Sequence, residues 1–223
     1  TVKGAPHPYV SRGGLKLEQA LRHFGIEMDG RIMLDIGAST GGFTDCALQN
    51  GASLVYAIDV GYNQLDYSLR SDDRVRVMER TNFRHMQPGD LDGPEPTFAS
   101  IDVSFISLKL ILPALTGLLA AGGDVAALIK PQFEAGREKV GKSGVVRDSS
   151  VHEEVLHTVL GFAAELGFET KDITFSPITG GEGNIEFLVH WLWTGEHGSA
   201  AAMAAVPDDN RIAALVAEAG PTF

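Results

Sequence analysis

Cysteine is almost missing from this chain: one residue, Cys46, stands among 223. No internal disulfide can form, which excludes a disulfide-stapled secreted scaffold. Long apolar runs are missing too. The most apolar stretch, 111–129, is broken by Pro113, Gly117, Gly122, Gly123 and Asp124, short of the roughly 20 apolar residues a membrane helix needs. The opening TVKGAPHPYVSRGG has no continuous apolar core, so no signal peptide is expected, and the simplest reading is a cytoplasmic protein without membrane contact. Metal-ligand spacing is absent among His7, His23, His85, His152, His157, His190 and His197, and no metal site is expected. Ser39 and Ser104 lack a His–Asp partnership, which argues against a hydrolase triad. Positive charge is scarce in the last third. Residues 148–223 hold 2 Lys/Arg against 12 Asp/Glu.

What is present is an ordinary folding composition, 44% apolar with mean hydropathy near zero, long enough for one well-buried domain. The net charge of −11 speaks against a polyanion partner at first sight. Its distribution weakens that objection, since residues 1–147 hold 16 Lys/Arg against 17 Asp/Glu. Basic residues gather at Lys3, Arg12, Lys16 and Arg22, and again at Lys130, Arg137, Lys139, Lys142 and Arg147. A polyanion could sit beside those stretches while the acidic end faces away; solvated loops are the alternative.

Apolar runs and breakers alternate in a βα rhythm. Strands are predicted at Ile32–Ile36, Leu54–Asp59, Val75–Met78, Phe98–Asp102 and Val125–Lys130, short and rich in Val, Ile and Leu as doubly buried strands are. Helices are predicted near 15–24, 42–50, 62–70 and 107–120. Such alternation implies parallel crossovers and a doubly wound sheet. Residues 131–147 lose periodicity and read as a long loop. A capping box, Ser150-x-x-Glu153, opens a helix to about Leu166. ETKDITFSPI and NIEFLVHWLW then read as an antiparallel hairpin turning at 179–183. The expected architecture is α/β: a mostly parallel seven-stranded sheet ending in that hairpin, with helices on both faces. The expected division is an N-terminal segment 1–14, a catalytic domain 15–195 and an Ala-rich tail 196–223, whose residues 208–219 could form a weak amphipathic helix.

Chemistry concentrates at the ends of the strands, where open α/β sheets bind ligands. LDIGASTGGF carries an acidic residue, Asp35, and glycines at 37, 41 and 42. Dinucleotide-binding loops are spelled Gly-x-Gly-x-x-Gly, so this loop suits S-adenosylmethionine better than a pyrophosphate. A nicotinamide-dependent oxidoreductase stays open as an alternative, disfavoured by that spelling and by the hairpin. Asp59, ending the second strand, is placed to bind a ribose diol. Asp102 and Lys130 end two further strands. Glu186 reads as a carboxylate inside a central strand, costly unless paired, and Lys130 is its natural partner.

YVSRGGLKLEQAL, LDIGASTGGFTDCAL, YAIDVGYNQLD, IDVSFISL, LIKPQFE and GNIEFL, in this order, resemble the hemolysin-A/TlyA family, whose members are similar to FtsJ-type ribosomal RNA 2′-O-methyltransferases. The resemblance covers about residues 7–193. It implies a Rossmann-like class I methyltransferase fold, S-adenosylmethionine as donor and a ribose 2′-hydroxyl of ribosomal RNA, typically in cytidine, as acceptor. The FtsJ-type Lys-Asp-Lys-Glu tetrad falls on Lys16, Asp102, Lys130 and Glu186. The donor set expected with it is Asp35, Gly37, Ala38, Ser39, Thr40, Gly41, Gly42, Phe43, Asp59, Val60, Asn82 and Asp102. Thr40 departs from the Pro common in the wider group. The family normally carries an N-terminal S4-type RNA-binding domain, which the sequence from Thr1 does not show, and an upstream module is expected. The ribosomal subunit or its RNA is the expected partner. A non-catalytic ribosome-binding module is the alternative, and a pore-forming toxin, which the family name suggests, has no support in the residues.

Overall fold

The computed structural model describes residues 7–223; Lys3 and the start of the N-terminal segment lie outside them. Five strands come first: β1 (Ile32–Ile36), β2 (Leu54–Ile58), β3 (Val75–Met78), β4 (Phe98–Ile101) and β5 (Asp124–Ile129). Then follow β6 (Phe168–Phe175) and β7 (Phe187–Trp193). They form one seven-stranded sheet in the order β3-β2-β1-β4-β5-β7-β6. Strands β1 to β5 run parallel, and β7 runs antiparallel to both β5 and β6. The expected α/β architecture is the observed one.

The sheet is apolar on both faces because successive residues of a strand point to opposite sides. Leu34, Ile36, Tyr56 and Ile58 join one core cluster with Leu112, Leu156 and Ile212. Met33, Val55 and Ala57 join the other with Leu17, Ala20, Cys46 and Leu69. The first face is covered by α4 (Leu108–Leu115), α6 (Ser149–Leu166) and α8 (Asp209–Ala219), the second by α1 (Gly13–Phe24), α2 (Gly42–Gln49) and α3 (Tyr67–Arg70). Two short helices, α5 (Pro131–Glu134) and α7 (Ala200–Ala204), complete the set. In α8, Ile212, Leu215, Val216 and Ala219 are buried in the first core.

Five local expectations change. The stretch 131–147, expected as a loop, opens with the one-turn helix α5. The helix expected over 62–70 shrinks to one turn, because Asp59 binds the Gly61 N–H and Asn63 takes a left-handed φ of 55°. The helix expected to 120 stops at Leu115. Helix α6 is capped by Asp148, whose carboxylate accepts from the Ser150 N–H at 2.9 Å, two residues earlier than the Ser150–Glu153 box implies. The connection between β6 and β7 is a loop from Ser176 to Glu186 rather than a tight turn, so Glu186 precedes its strand instead of lying within it.

Candidate active site

The parallel register brings the carboxyl ends of β1, β2, β4 and β5 to one edge, and Gly37, Asp59, Asp102 and Lys130 each follow a strand there. The Gly37 N–H donates to Ile58 O at 2.9 Å and the Asp102 N–H to Ile36 O at 3.0 Å, which fixes these residues side by side. Gly37 takes φ +85°, and a Cβ there would lie 2.1 Å from the Asp102 carbonyl oxygen. Only glycine lets β1's exit pass so close to β4's. Ser39, two residues on, also adopts a left-handed φ of 51°.

A cavity of about 290 Å³ opens at this edge, lined among others by Gly37, Ser39, Asp59, Val60, Asn82 and Asp102. Asp59 accepts from the Ser39 N–H at 2.8 Å and from the Gly61 N–H at 2.7 Å, one bond to each carboxylate oxygen, so each oxygen keeps acceptor capacity. Ile58, Phe83, Ile106 and Ile111 supply an apolar wall that spelling alone did not reveal. A flat heterocycle with a ribose diol suits such a lining: apolar surface for the ring and a carboxylate for the diol.

The rest of the expected donor set lies elsewhere. Asp35 is fully buried; its carboxylate accepts from the Thr44 hydroxyl at 2.6 Å and from the Ser100 hydroxyl at 3.4 Å, tying β1 to α2 and β4. Ala38 lines a small recess beside Ser39. Gly41 abuts Leu65 and Leu69, Gly42 abuts Ser11 and Gly14, Phe43 is core, and the Thr40 carbonyl binds the Asp66 N–H. These residues shape the loop from beneath.

Burial pushes the Asp35 carboxyl up to about 7, with the Thr44 hydrogen bond opposing and the Asp102 charge adding to the rise. A carboxyl whose folded pKa is raised holds its proton where the unfolded chain, near 3.9, has lost it. Stability from this group is therefore greatest at low pH and falls as pH climbs from about 4 to about 7. Asp35→Asn is expected to remove that slope. Urea unfolding of wild type and variant across this range checks it, and parallel profiles would refute the burial argument.

Lys16, Asp102, Lys130 and Glu186 all line a second cleft, of about 550 Å³. They form two ion pairs. Lys130 Nζ lies 2.5 Å from Asp102 Oδ1 and also donates to Ser104 Oγ at 3.3 Å. Lys16 Nζ lies 2.9 Å from Glu186 Oε2. The expected pairing of Glu186 with Lys130 is thus corrected: α1 packs against β7 and delivers Lys16 to the carboxylate instead. Glu186 is only 2% exposed and takes a second hydrogen bond from Gln132 Nε2 at 3.1 Å. Gln132 Oε1 is itself buried without a protein partner. Gly180 belongs to this arrangement, since a Cβ there would lie 1.9 Å from Glu186 Oε1. Sequence reasoning missed Gln132, Gly180 and Ser104; only their position inside KPQFE, the glycine turn and IDVSF hinted at them.

The two cavities share Gly37, Ser39, Asp102, Ser104 and Phe105. Phe105 is 90% exposed and sits at a left-handed φ of 62°, a strained state for an aromatic residue. Its ring lies 4.9 Å from that of Phe133. What one cavity holds can therefore meet what the other holds across a single wall.

Comparison with known proteins finds methyltransferases. The FtsJ-like methyltransferase family pattern matches residues 9–192. The Bacillus subtilis protein YqxC is 63% identical over 196 residues, 88% of this chain and 70% of that protein. The 16S/23S rRNA (cytidine-2′-O)-methyltransferase TlyA of Mycobacterium tuberculosis is 45% identical over 193 residues, 86% of this chain and 71% of its own length. A solved structure from Streptococcus thermophilus superposes with a TM-score of 0.90 at 56% identity, covering 99% of this chain and 78% of that one.

Proposed function

The chain belongs to the FtsJ-like methyltransferase family, and from that premise we propose that it moves the methyl group of S-adenosylmethionine to a ribose 2′-hydroxyl of ribosomal RNA, at cytidine, in the cytoplasm. The enzyme class, an RNA 2′-O-methyltransferase, follows from the family and its relatives. The observation that carries the assignment of sites is the shared wall: Gly37, Ser39 and Asp102 border both cavities, Asp102 pairs at the wall with Lys130, and Lys130, Lys16 and Glu186 line the larger cleft alone.

The donor belongs in the smaller cavity. Asp59 would hold the ribose diol and the Ile58–Phe83–Ile111 surface the adenine. When bound, S-adenosylmethionine would supply a sulfonium methyl open to in-line attack by an oxygen nucleophile, the O–C bond forming as the C–S bond breaks and a neutral thioether leaves. The acceptor ribose belongs in the larger cleft. A ribose hydroxyl is a weak nucleophile, so the protein must align it and manage its proton. Asp102 fixes Lys130 at the wall; Lys130 would hold and orient the 2′-oxygen by a donated hydrogen bond, and the Asp102 carboxylate would take the hydroxyl proton as the O–C bond forms. Lys16, held by Glu186, steadies the oxygen or the neighbouring phosphate from the opposite side. Phe105 and Phe133 offer the base a stacking surface. The cytidine assignment rests on relatives named as cytidine-2′-O-methyltransferases.

The test has two arms. Calorimetry is expected to show binding of S-adenosylmethionine and none of NAD. Ribose-methylation mapping of ribosomal RNA, incubated with enzyme and donor, is expected to reveal a new 2′-O-methylcytidine. Donor binding without any new methylation would favour the non-catalytic module, and methylation at another nucleoside would overturn the cytidine assignment alone.

A further inference from the structure

The acceptor cleft is poor in free positive charge. Its two lysines are each neutralised by a carboxylate, Lys16 by Glu186 and Lys130 by Asp102, and Glu182 adds a negative group to the lining. The chain as a whole carries −11. A nucleic-acid strand, one charge per phosphate, gains most of its affinity from cations that displace its counterions. Such cations must therefore lie beside the cleft rather than in it.

One segment is built for this. Gly144 lines the cleft, at the end of a turn closed by hydrogen bonds from the Gly144 N–H to Gly141 O at 2.8 Å and from the Gly141 N–H to Val145 O at 3.0 Å. The turn is locked from below. Asn184, 2% exposed, donates to Gly144 O at 2.9 Å and accepts from the Val146 N–H at 3.0 Å. Nε2 of buried His152 lies 3.0 Å from Val146 O, and Val145 and Val146 are themselves buried. On this rigid mount Lys142 and Arg147 are exposed. Neighbouring Lys139 is tied to Glu154 at 2.6 Å, whereas Lys142 and Arg147 enter no ion pair among the described residues.

We propose that the segment Gly141–Arg147 is a phosphate-gripping lip of the acceptor cleft, with Lys142 and Arg147 holding the backbone of the RNA strand that flanks the target ribose. The inference rests on the acceptor reading above and deepens it. A lip ordered before binding loses little conformational entropy when RNA arrives, so its charges act at full effect. Because the contacts go to phosphates, they position the strand without reading its sequence.

The experiment compares wild type, Lys142→Ala/Arg147→Ala, and Arg74→Ala/Arg76→Ala. The last pair removes the same charge around the start of β3, at the opposite edge of the sheet. Binding of a fluorescein-labelled RNA stem-loop is followed by anisotropy over a salt series, with donor affinity measured by calorimetry. The lip variant is expected to bind several-fold more weakly at low salt, with its log K against log salt slope shallower by roughly 1.5. Its KM for RNA rises while kcat and donor affinity hold, and the β3 variant behaves as wild type. Lys142→Arg, which keeps both charges of the lip, is expected to retain the wild-type slope. An unchanged slope in the lip variant, or an equal loss in the β3 variant, overturns the proposal. Wild type that binds RNA and responds to the lip substitutions yet transfers no methyl would sink the methyl-transfer reading and leave the lip standing.

Discussion

Lys130→Ala is expected to lower the methyl-transfer rate by about 10²–10⁴ while leaving S-adenosylmethionine affinity unchanged. The magnitude is what positioned proton management contributes in enzymes generally. The separation of rate from donor binding comes from position: Lys130 lines the larger cleft, proposed for the acceptor, and is absent from the smaller cavity, proposed for the donor. Folding should survive, because the Asp102 side chain left behind is 22% exposed and water can reach it. The other pair predicts the contrast. Lys16→Ala strands Glu186, whose side chain is 2% exposed, with only Gln132 for company, and an uncompensated buried charge destabilises by about 3–5 kcal/mol. Single-turnover methylation, donor calorimetry and thermal unfolding on both variants separate the effects. If Lys130→Ala kept the wild-type rate, the assignment of the Lys130–Asp102 pair would be wrong.

The β strands were legible because burial on both faces forces near-continuous Val, Ile and Leu runs, a pattern few other elements produce. The convergence of Lys16, Asp102, Lys130 and Glu186 on one cleft was also anticipated, through ordered motifs rather than through physics. What the chain hid were contacts decided beyond the ends of the ladders. Strand β7 pairs with β5 until Phe187 faces Ile129, so Lys130 and Glu186 both lie past the last rung, where strand alternation no longer says which way a side chain turns. Asp35 reads identically in sequence whether it reaches a ligand or, as here, lies beneath the loop against Thr44. Gln132 and Asn184 carry no spacing signal, being single amides, one in α5 and one in a loop, whose importance comes from segments that only the fold brings together. The helix expected over 62–70 failed for a local reason: Asp59, committed to the Gly61 N–H, stabilises a turn that helix propensity does not register.

Gly37→Ala is expected to remove donor binding and methyl transfer together, and to destabilise the fold by about 2–5 kcal/mol from left-handed strain plus overpacking. The closest neighbours of the added methyl are backbone atoms, the Val103 side chain standing further off at 3.2 Å. The methyl would stand 2.1 Å from the Asp102 carbonyl oxygen and 2.9 Å from its carbon, and Asp102 is pinned by its own N–H to Ile36 O. Relief must move the backbone of the residue that holds Lys130, so a change on the donor side is transmitted to the acceptor side. Gly25→Ala supplies the control. It has a similar φ, +66°, but nothing within 4 Å of a Cβ, so it bears only the left-handed cost of about 1–2 kcal/mol and keeps both activities. Urea unfolding and donor calorimetry on the two variants distinguish general weakening from damage to the wall. Wild-type donor affinity in Gly37→Ala would show that β1 and β4 part freely at this point, and the shared wall could not then be what aligns methyl and hydroxyl.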